Sequence, residues 1–251
     1  MIPPPRYLIY LIAISVAMLV HSSHAHDIPV HRRITQAALL SDSSVYSFLS
    51  ATGSDAYSRF YYSIPDGGGS APTPLNLNAR EWIEEGVVWE DEEHILSPRS
   101  PIGERLGEAN GYRFTNHFYT PFPKPAKPIT DTNELPPVWY KNIPAAWTIA
   151  SANNSFRWAS NRNQPFSIPG IGARPNIYSW QNARDYQYEA LTAASAAACN
   201  EGIAKTLFSL GHVIHLIQDL SQPGHVRNDN HALKRYIEFW GRDKLNTLSF
   251  P

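Results

Sequence analysis

Apolar residues recur at the three-to-four-residue spacing of an α-helix in several stretches of the chain. The predicted helices cover residues 31–40, 80–93, 145–152, 181–199, 203–219 and 232–243. The stretch 203–219 is apolar on most sides, which predicts a buried helix. Asn200 and Gly202 predict a break before it, and Pro223 with Gly224 predicts its end.

The segments between these helices are rich in residues that favour turns. Residues 41–78 contain many Ser, Tyr, Gly and Pro, and the run Asp66–Ser70 is the clearest loop. Residues 95–176 are interrupted by prolines, which exclude helix interiors. No stretch alternates apolar and polar residues over the length of a strand, so no strand is predicted. The pattern therefore predicts a mostly α, single-domain helical bundle with long irregular loops.

The first 25 residues have the layout of a secretory signal peptide. Arg6 supplies a positive charge, residues 7–20 are apolar, and Ser23 and Ala25 are small residues at the −3 and −1 positions of a cleavage site. This apolar run is short for a membrane span, which needs about 20 residues; an uncleaved anchor is the alternative. We expect cleavage after Ala25, a mature domain of residues 26–251, and a secreted or periplasmic protein.

Composition limits both the cross-links and the partners of the chain. Cys199 is its only cysteine, so no internal disulfide can form, and bound metal ions are another means of cross-linking. The formal net charge is −1, which provides no overall basic field to attract nucleic acid. A local basic groove is still compatible with that charge, but no stable nucleic-acid complex is expected.

Histidines are concentrated towards the C-terminal end. The chain has ten, and four of them, at positions 212, 215, 225 and 231, fall within twenty residues. His215 and Asp219 are one helical turn apart, so both can bind one divalent ion. The turn predicted at Gln222–Gly224 returns His225 close to the same point. A simple hydrogen-bonded His–Asp pair is the alternative.

Two more residues are candidates for a further ion. His231 and Glu238 are seven residues apart, about two turns along one face of the last predicted helix. His212 precedes His215 by three residues on a strongly apolar helix. We expect His212 to lie in the core or behind the ligands, and it is not included in the ligand set.

The segment Leu207–Asn228 resembles the signature of the bacterial zinc-dependent phospholipase C family, which is related to the S1/P1 nucleases. The resemblance rests on its His-x3-Asp and Gln-Pro-x-His spacing, and matching motifs are spread over residues 26–240. It implies a helical fold of the phospholipase C/P1 nuclease type that binds two to three zinc ions. His215 and Asp219 would bind one zinc, Asp219 would bridge to a second, and His225 would bind a further one.

The resemblance also implies ligands in the N-terminal half. The segment Arg113–Tyr119 looks like the family's Asn-His-Phe-Tyr segment, in which His117 would be a ligand. The segment Glu85–Glu92 looks like the family's acidic segment, in which Asp91 matches the ligating Asp. His31 would be the early ligand on the first helix.

The two ends of the chain match the family less closely. Glu238 matches the family's final Glu, but Lys234 stands where the family has a His, so His231 is the nearest substitute. Family members often bind metal through a newly exposed N-terminal residue, which would here be His26. The sequence also stops at Pro251, soon after the last motif, so we expect a domain truncated at its C-terminus relative to the family.

The function implied is hydrolysis of phospholipid head groups by a metal-activated water, which Asp91 would orient or deprotonate. The expected partners are a phospholipid or another phosphodiester substrate and, transiently, a membrane surface. An S1/P1-like single-strand nuclease is the alternative, although the Gln-Pro-Gly-His-Val-Arg-Asn form is closer to phospholipase C. A non-catalytic zinc- or lipid-binding homologue is a second alternative, because Lys234 interrupts the last ligand pair.

Overall fold

The computed structural model describes residues 28–41, 44–65, 72–91, 116–117, 155–168, 172–226 and 244. Side chains are described at all of these positions except residues 28, 40, 41, 91, 165–168, 172–174, 223 and 224. Within this part the chain is mostly helical, as predicted. None of the helices described is long and apolar enough to span a bilayer.

The described elements follow one another in a simple order. The helices are α1 (Ile28–Ser41), α2 (Ser44–Ala51), α3 (Ala79–Asp91), α4 (Ser155–Ser160), α5 (Trp180–Thr192), α6 (Ala196–Asp219) and α7 (Pro223–Val226). The strands are β1 (Arg59–Ile64), β2 (Thr73–Asn78), β3 (Gln164–Ile168) and β4 (Gly172–Asn176). The helices predicted over residues 31–40 and 80–93 correspond to α1 and α3. Those predicted over 145–152 and 232–243 lie outside the described residues.

The prediction that the chain contains no strands was wrong. β1 pairs with β2 in an antiparallel hairpin, and β3 pairs with β4 in a second one. Along β1 the side chains alternate, with Phe60, Tyr62 and Ile64 buried and the residues between them facing outwards. This is the period-two pattern of a half-buried strand, and it is hard to recognise because Tyr61, on the outer face, is also aromatic.

The predicted break at Asn200 and Gly202 was also wrong. The chain breaks earlier, between Thr192 and Ala196, and α6 runs without interruption through both residues. Ser195 begins α6, because its side chain accepts a hydrogen bond from the Ala198 backbone N–H. Gly202 is in the helix interior because α5 passes too close for a side chain: a Cβ there would be 2.9 Å from Ala190 Cβ.

The core lies between α3, α5, α6 and the first hairpin. Phe208 on α6 is at its centre and makes edge-to-face contacts with Trp82, Trp89 and Tyr178. The Trp82 indole N–H donates to the Phe60 carbonyl oxygen at 2.9 Å and so ties α3 to β1. These contacts hold α6 firmly over the half of its length that precedes the histidines.

The α3 and α6 backbones meet at a pair of glycines. A Cβ at Gly86 would collide with the Phe208 carbonyl oxygen, and one at Gly211 would collide with the Ile83 carbonyl oxygen and lie 2.8 Å from Gly86 Cα. Only glycine allows two helices to approach this closely. The close approach brings the C-terminal half of α3 directly against the turns of α6 that carry His212 and His215.

Candidate metal centre

Polar groups occupy one face of the C-terminal half of α6. His212, His215 and Asp219 are three or four residues apart, so their side chains project from the same side of the helix. All three are essentially fully buried. A buried carboxylate is costly unless it is compensated by hydrogen bonds, protons or a cation. The groups around Asp219 therefore determine how its buried carboxylate is stabilised.

Four imidazoles surround the Asp219 carboxylate. His117 Nδ1 is 2.7 Å from Asp219 Oδ2, and His215 Nε2 is 3.4 Å from the same oxygen. His31 Nε2 is 3.3 Å from Oδ1, on the other side of the carboxylate. His225 Nδ1 lies further away, 3.7 Å from Oδ2. These residues come from α1, α6, α7 and the described pair 116–117, so distant parts of the sequence converge on one carboxylate.

Hydrogen bonds from Nδ1 to backbone carbonyl oxygens fix the position of the proton on two of these rings. His215 Nδ1–H donates to the Val87 carbonyl oxygen at 2.8 Å, and His225 Nδ1–H donates to the His117 carbonyl oxygen at 2.9 Å. A carbonyl oxygen can only accept, so Nδ1 carries the proton in both rings. In the neutral form, Nε2 of each ring is then a lone-pair donor. This is the usual arrangement of metal-binding histidines.

His31 is held in a similar way. Its Nδ1 lies 2.6 Å from Gln218 Oε1, and Gln218 Nε2 donates to Thr35 Oγ1 at 2.8 Å. Since Thr35 is one turn after His31 on α1, one glutamine fixes both α1 side chains against α6. The His31 ring stacks on the His215 ring, with centroids 3.9 Å apart and planes 19° apart.

The donor set fits a metal ion. His215 Nε2 and both Asp219 carboxylate oxygens are buried without a hydrogen bond of acceptable geometry. Ligand atoms of His31, His215 and Asp219 all lie within 4.8 Å of one another. Imidazole nitrogens and carboxylate oxygens that face one another can share a proton or hold a metal ion, and zinc favours this combination of ligands. The rival interpretation of His215 and Asp219 as a hydrogen-bonded pair does not fit their geometry.

Electrostatics point in the same direction. Burial alone would raise the pKa of Asp219, but the imidazoles of His225, His215 and His117 outweigh burial and hold that pKa well below its usual value. Burial alone would lower the pKa of His117, but the Asp219 carboxylate, together with Glu90, outweighs burial and raises the pKa to about 10. The cluster therefore retains a carboxylate and attracts positive charge, either a proton or a metal ion.

A second buried carboxylate, Glu90, adjoins the centre and was not predicted. Its Oε1 accepts a hydrogen bond from Trp158 Nε1 at 2.8 Å, and its Oε2 lies 2.5 Å from His212 Nδ1. His117 Nε2 is 3.4 Å from Glu90 Oε1. Ile83, Val87 and Glu90 follow one another at helical spacing on the α3 face that meets α6. A charged residue continuing an apolar face was the signal available in the sequence.

His212 occupies the position expected for it, behind the ligands. Its ring stacks on Tyr178, with centroids 4.5 Å apart and planes 11° apart, and its Nδ1 faces Glu90. Tyr178 immediately precedes Ser179, whose side chain begins α5 through a capping box with Asn182. The start of α5 thus fixes the ring that supports His212.

The nine predicted ligands divide into two groups. Five of them converge as described: His31, His117, His215, Asp219 and His225. Asp91 is the last residue of α3, but its side chain lies outside the described part, as do His26, His231 and Glu238 entirely. The role of Asp91 as the residue that activates water therefore stays a prediction.

Comparison of the chain with protein-family models, with curated protein sequences and with solved structures found no match.

Proposed function

We propose that this chain is an exported zinc-dependent phosphodiesterase of the phospholipase C type, with the fold of that family. The observation that carries the proposal is the convergence of four buried imidazoles on the buried Asp219 carboxylate. The resemblance of the segment Leu207–Asn228 to the phospholipase C signature supplies the reaction class, because a histidine–carboxylate site alone serves many metal-dependent reactions.

The described residues would have different roles in such a centre. His215 and Asp219 would hold one zinc ion, with His31 and His117 contributing from the two sides of the carboxylate. Asp219 has two oxygens that face different imidazoles, so it can bridge two ions. His225 would bind a further ion. Zinc in such a site polarises phosphoryl oxygens and lowers the pKa of a bound water towards neutrality.

The proton positions are suited to this role. The Nδ1 hydrogen bond of His215 to the Val87 carbonyl oxygen leaves its Nε2 facing Asp219 before any metal arrives, and the Nδ1 hydrogen bond of His225 places its ring proton on Nδ1. Fixed ligands lose little conformational freedom on binding, which favours affinity. Asp91, one residue beyond Glu90, would orient or deprotonate the attacking water.

The substrate we propose is a phospholipid, cleaved on the glycerol side of its phosphate. The protein would reach it as a secreted or periplasmic enzyme that contacts the membrane surface transiently. The single-strand nuclease and the non-catalytic zinc- or lipid-binding protein are the two alternatives, and one experiment separates all three.

The experiment uses the mature chain, purified with zinc. The metal content per chain is measured first, and phosphatidylcholine vesicles and single-stranded DNA are then offered side by side. We expect two to three zinc ions per chain and release of phosphocholine, both lost in His215→Ala. Cleavage of DNA alone would support the nuclease, and bound zinc without either activity would support the binding protein. Absence of bound zinc would contradict the whole proposal.

A further inference from the structure

Glu90 is a fully buried carboxylate at the edge of the metal centre. It accepts a hydrogen bond from Trp158 Nε1 on α4, and it lies against His212 on α6 and His117. Burying a carboxylate is unfavourable unless its oxygens have partners. Trp158 on α4, His212 on α6 and His117 therefore depend on this one α3 side chain, to which the phospholipase C resemblance assigns no role.

His117 meets Asp219 through Nδ1 at hydrogen-bonding distance, whereas His31 and His215 face that carboxylate through Nε2. In His215 and His225, Nδ1–H donates to a carbonyl oxygen, and in His31 Nδ1 faces the Gln218 amide oxygen. In His117, Nδ1 itself faces Asp219 Oδ2 at 2.7 Å, while Nε2 faces Glu90 Oε1 at 3.4 Å. The ring is therefore placed between two carboxylates, with the Nδ1 edge towards the centre.

We propose that Glu90 is the positioning residue of His117: it accepts the Nε2–H of that ring and so makes His117 bind metal through Nδ1. Histidine ligands commonly donate their second ring N–H to a carboxylate, which fixes the tautomer and increases the basicity of the ligating nitrogen. The inference rests on the proposed metal centre but not on its catalytic activity.

The groups around Glu90 suit this role. Its Oε1 is shared by Trp158 and His117, and its Oε2 faces His212. His212 is in turn held by the stacked Tyr178 ring. Asn176 Nδ2 donates to the Trp158 carbonyl oxygen at 2.8 Å, which fixes α4 behind the carboxylate. A carboxylate fixed on both oxygens can set the direction of a ring that approaches it.

A purely structural role is the rival explanation. In that case Glu90 would tie α3 to α4 and α6 through Trp158 and His212, and its proximity to His117 would have no effect on metal binding. The two roles differ in one observable quantity. A structural tie affects the stability of the fold, whereas a positioning residue also affects which nitrogen of His117 binds the metal.

Two substitutions separate these effects. Glu90→Met keeps the length of the side chain but removes the acceptor for His117. Glu90→Gln keeps an amide oxygen for Trp158 and His117, but it removes the charge and replaces the oxygen that faces His212 by an NH2 group. Glu85→Gln is the matched control, because Glu85 also lies on α3 and accepts a tryptophan N–H, from Trp89 at 2.9 Å, while its other oxygen pairs with Arg32.

The measurements are zinc affinity by competition with a chelator, and the nitrogen of His117 that binds zinc, by NMR of imidazole-labelled protein. We expect His117 to bind through Nδ1 in the wild-type protein. Glu90→Met should lower zinc affinity by about 10–100-fold, the range typical for residues that orient ligands, and should allow binding through either nitrogen. Glu90→Gln should lower the affinity less and keep Nδ1 binding, and Glu85→Gln should match the wild type.

Several results would overturn the inference. One is that zinc binds through His117 Nε2 in the wild-type protein. Another is that Glu90→Met has the same zinc affinity as the wild type and binds zinc through the same His117 nitrogen. If Glu90→Met does not fold, Glu90→Gln decides: an affinity equal to that of Glu85→Gln overturns the inference. A wild-type chain that binds no zinc would instead contradict the metal centre itself.

Discussion

At the scale of single residues, the centre depends on Asp219. Its carboxylate is the group that all four converging imidazoles share, and its two oxygens face different rings. The imidazoles also contact one another, as in the stacking of His31 on His215. Neutral imidazoles alone carry no charge to offset that of a divalent ion. The carboxylate should therefore dominate metal affinity.

We predict that Asp219→Asn lowers zinc affinity by more than about 100-fold, beyond the loss typical for a residue that only orients a ligand. Asparagine has almost the same shape, so the loss would come from the missing charge and the missing second acceptor. The affinity is measured by competition with a zinc chelator. Asp185→Asn is the control, because Asp185 pairs with Arg162 at the surface. Equal affinity in the two variants would contradict the role given to Asp219.

The raised pKa of His117 makes the stability of the metal-free protein depend on pH. The pKa is about 10 in the folded chain, against 6.5 for an ordinary histidine. A raised pKa stabilises the fold fully below pH 6.5, and this contribution is lost as the pH rises through about 10. In the presence of a chelator, we therefore expect the Tm to fall between pH 7 and pH 10.

The matched comparison for this pH dependence is Asp219→Asn. Removal of the carboxylate removes the main group that raises the pKa of His117, so the decline of Tm over the same pH range should be shallower. A wild-type Tm that does not change over this range, or an equally steep decline in both proteins, would show that His117 is not protonated in the metal-free protein.

The central residues of the site could be predicted from local sequence, whereas Glu90 was missed. His215, Asp219 and His225 are close in sequence, so helical spacing and one turn suffice to bring them together. His31 and His117 were found only through the family resemblance, because nothing local links them to α6. Glu90 stands in the acidic segment Glu90–Glu93, and its burial depends on how α3 packs against α6.

At the scale of secondary-structure elements, the geometry of the centre depends on the crossing of α3 and α6. Val87 supplies the carbonyl oxygen that fixes His215, and Glu90 faces His212, so both contacts span these two helices. Gly86 and Gly211 allow the close approach. A small separation of the helices would therefore misplace two histidines at once.

We predict that Gly211→Ala destabilises the fold by about 1–3 kcal/mol, the usual cost of overpacking, and also weakens zinc binding. The new methyl group would press on the Ile83 carbonyl oxygen, which is backbone and has little freedom to move away. Unfolding by denaturant and zinc affinity are the two measurements.

Gly202→Ala provides the matched control for this crossing. It introduces the same methyl group into the same helix, but against Ala190 on α5, about two and a half turns from Gly211. We expect a loss of stability with zinc affinity unchanged. If Gly211→Ala also left zinc affinity unchanged, the α3–α6 crossing would not be what positions the histidines.

The elements themselves were only partly predictable. Helices α1 and α3 follow from their apolar spacing, since each buries one face. The first hairpin was missed because β1 has aromatic residues on both faces and because β2 is largely polar, with the pattern Thr-Pro-Leu-Asn-Leu-Asn. The break before α6 depends on the Ser195 cap, which the alanine-rich surroundings conceal, since alanine favours a continuous helix.

At the scale of the whole molecule, the converging side chains join parts of the chain that are far apart in sequence. His31 and Gln218 are 187 residues apart and are hydrogen-bonded, and His117 lies 108 residues before His225, which donates to its carbonyl oxygen. The sequence has one cysteine and so no internal disulfide. A metal ion held by these residues would cross-link α1, α6, α7 and the segment around His117.

Zinc should therefore act as a structural cross-link as well as a cofactor. Binding that is confined to the folded state adds about 2.7 kcal/mol of stability when free zinc is 100-fold above Kd. For a chain of this size, each kcal/mol raises the Tm by about 2–4 °C. We predict that the Tm rises by about 5–10 °C between excess chelator and that zinc concentration, as measured by calorimetry.

The direction of the change in Tm and its dependence on His215 make this prediction specific. Zinc binding to scattered histidines of the unfolded chain would lower the Tm, since it stabilises the wrong state. His215→Ala removes one ligand of the centre and leaves the other histidines available, so its Tm should respond little to zinc. If the variant gained as much stability as the wild type, zinc would be binding elsewhere. A response confined to the wild type would place the stabilising ion beside Asp219, where the buried imidazoles converge.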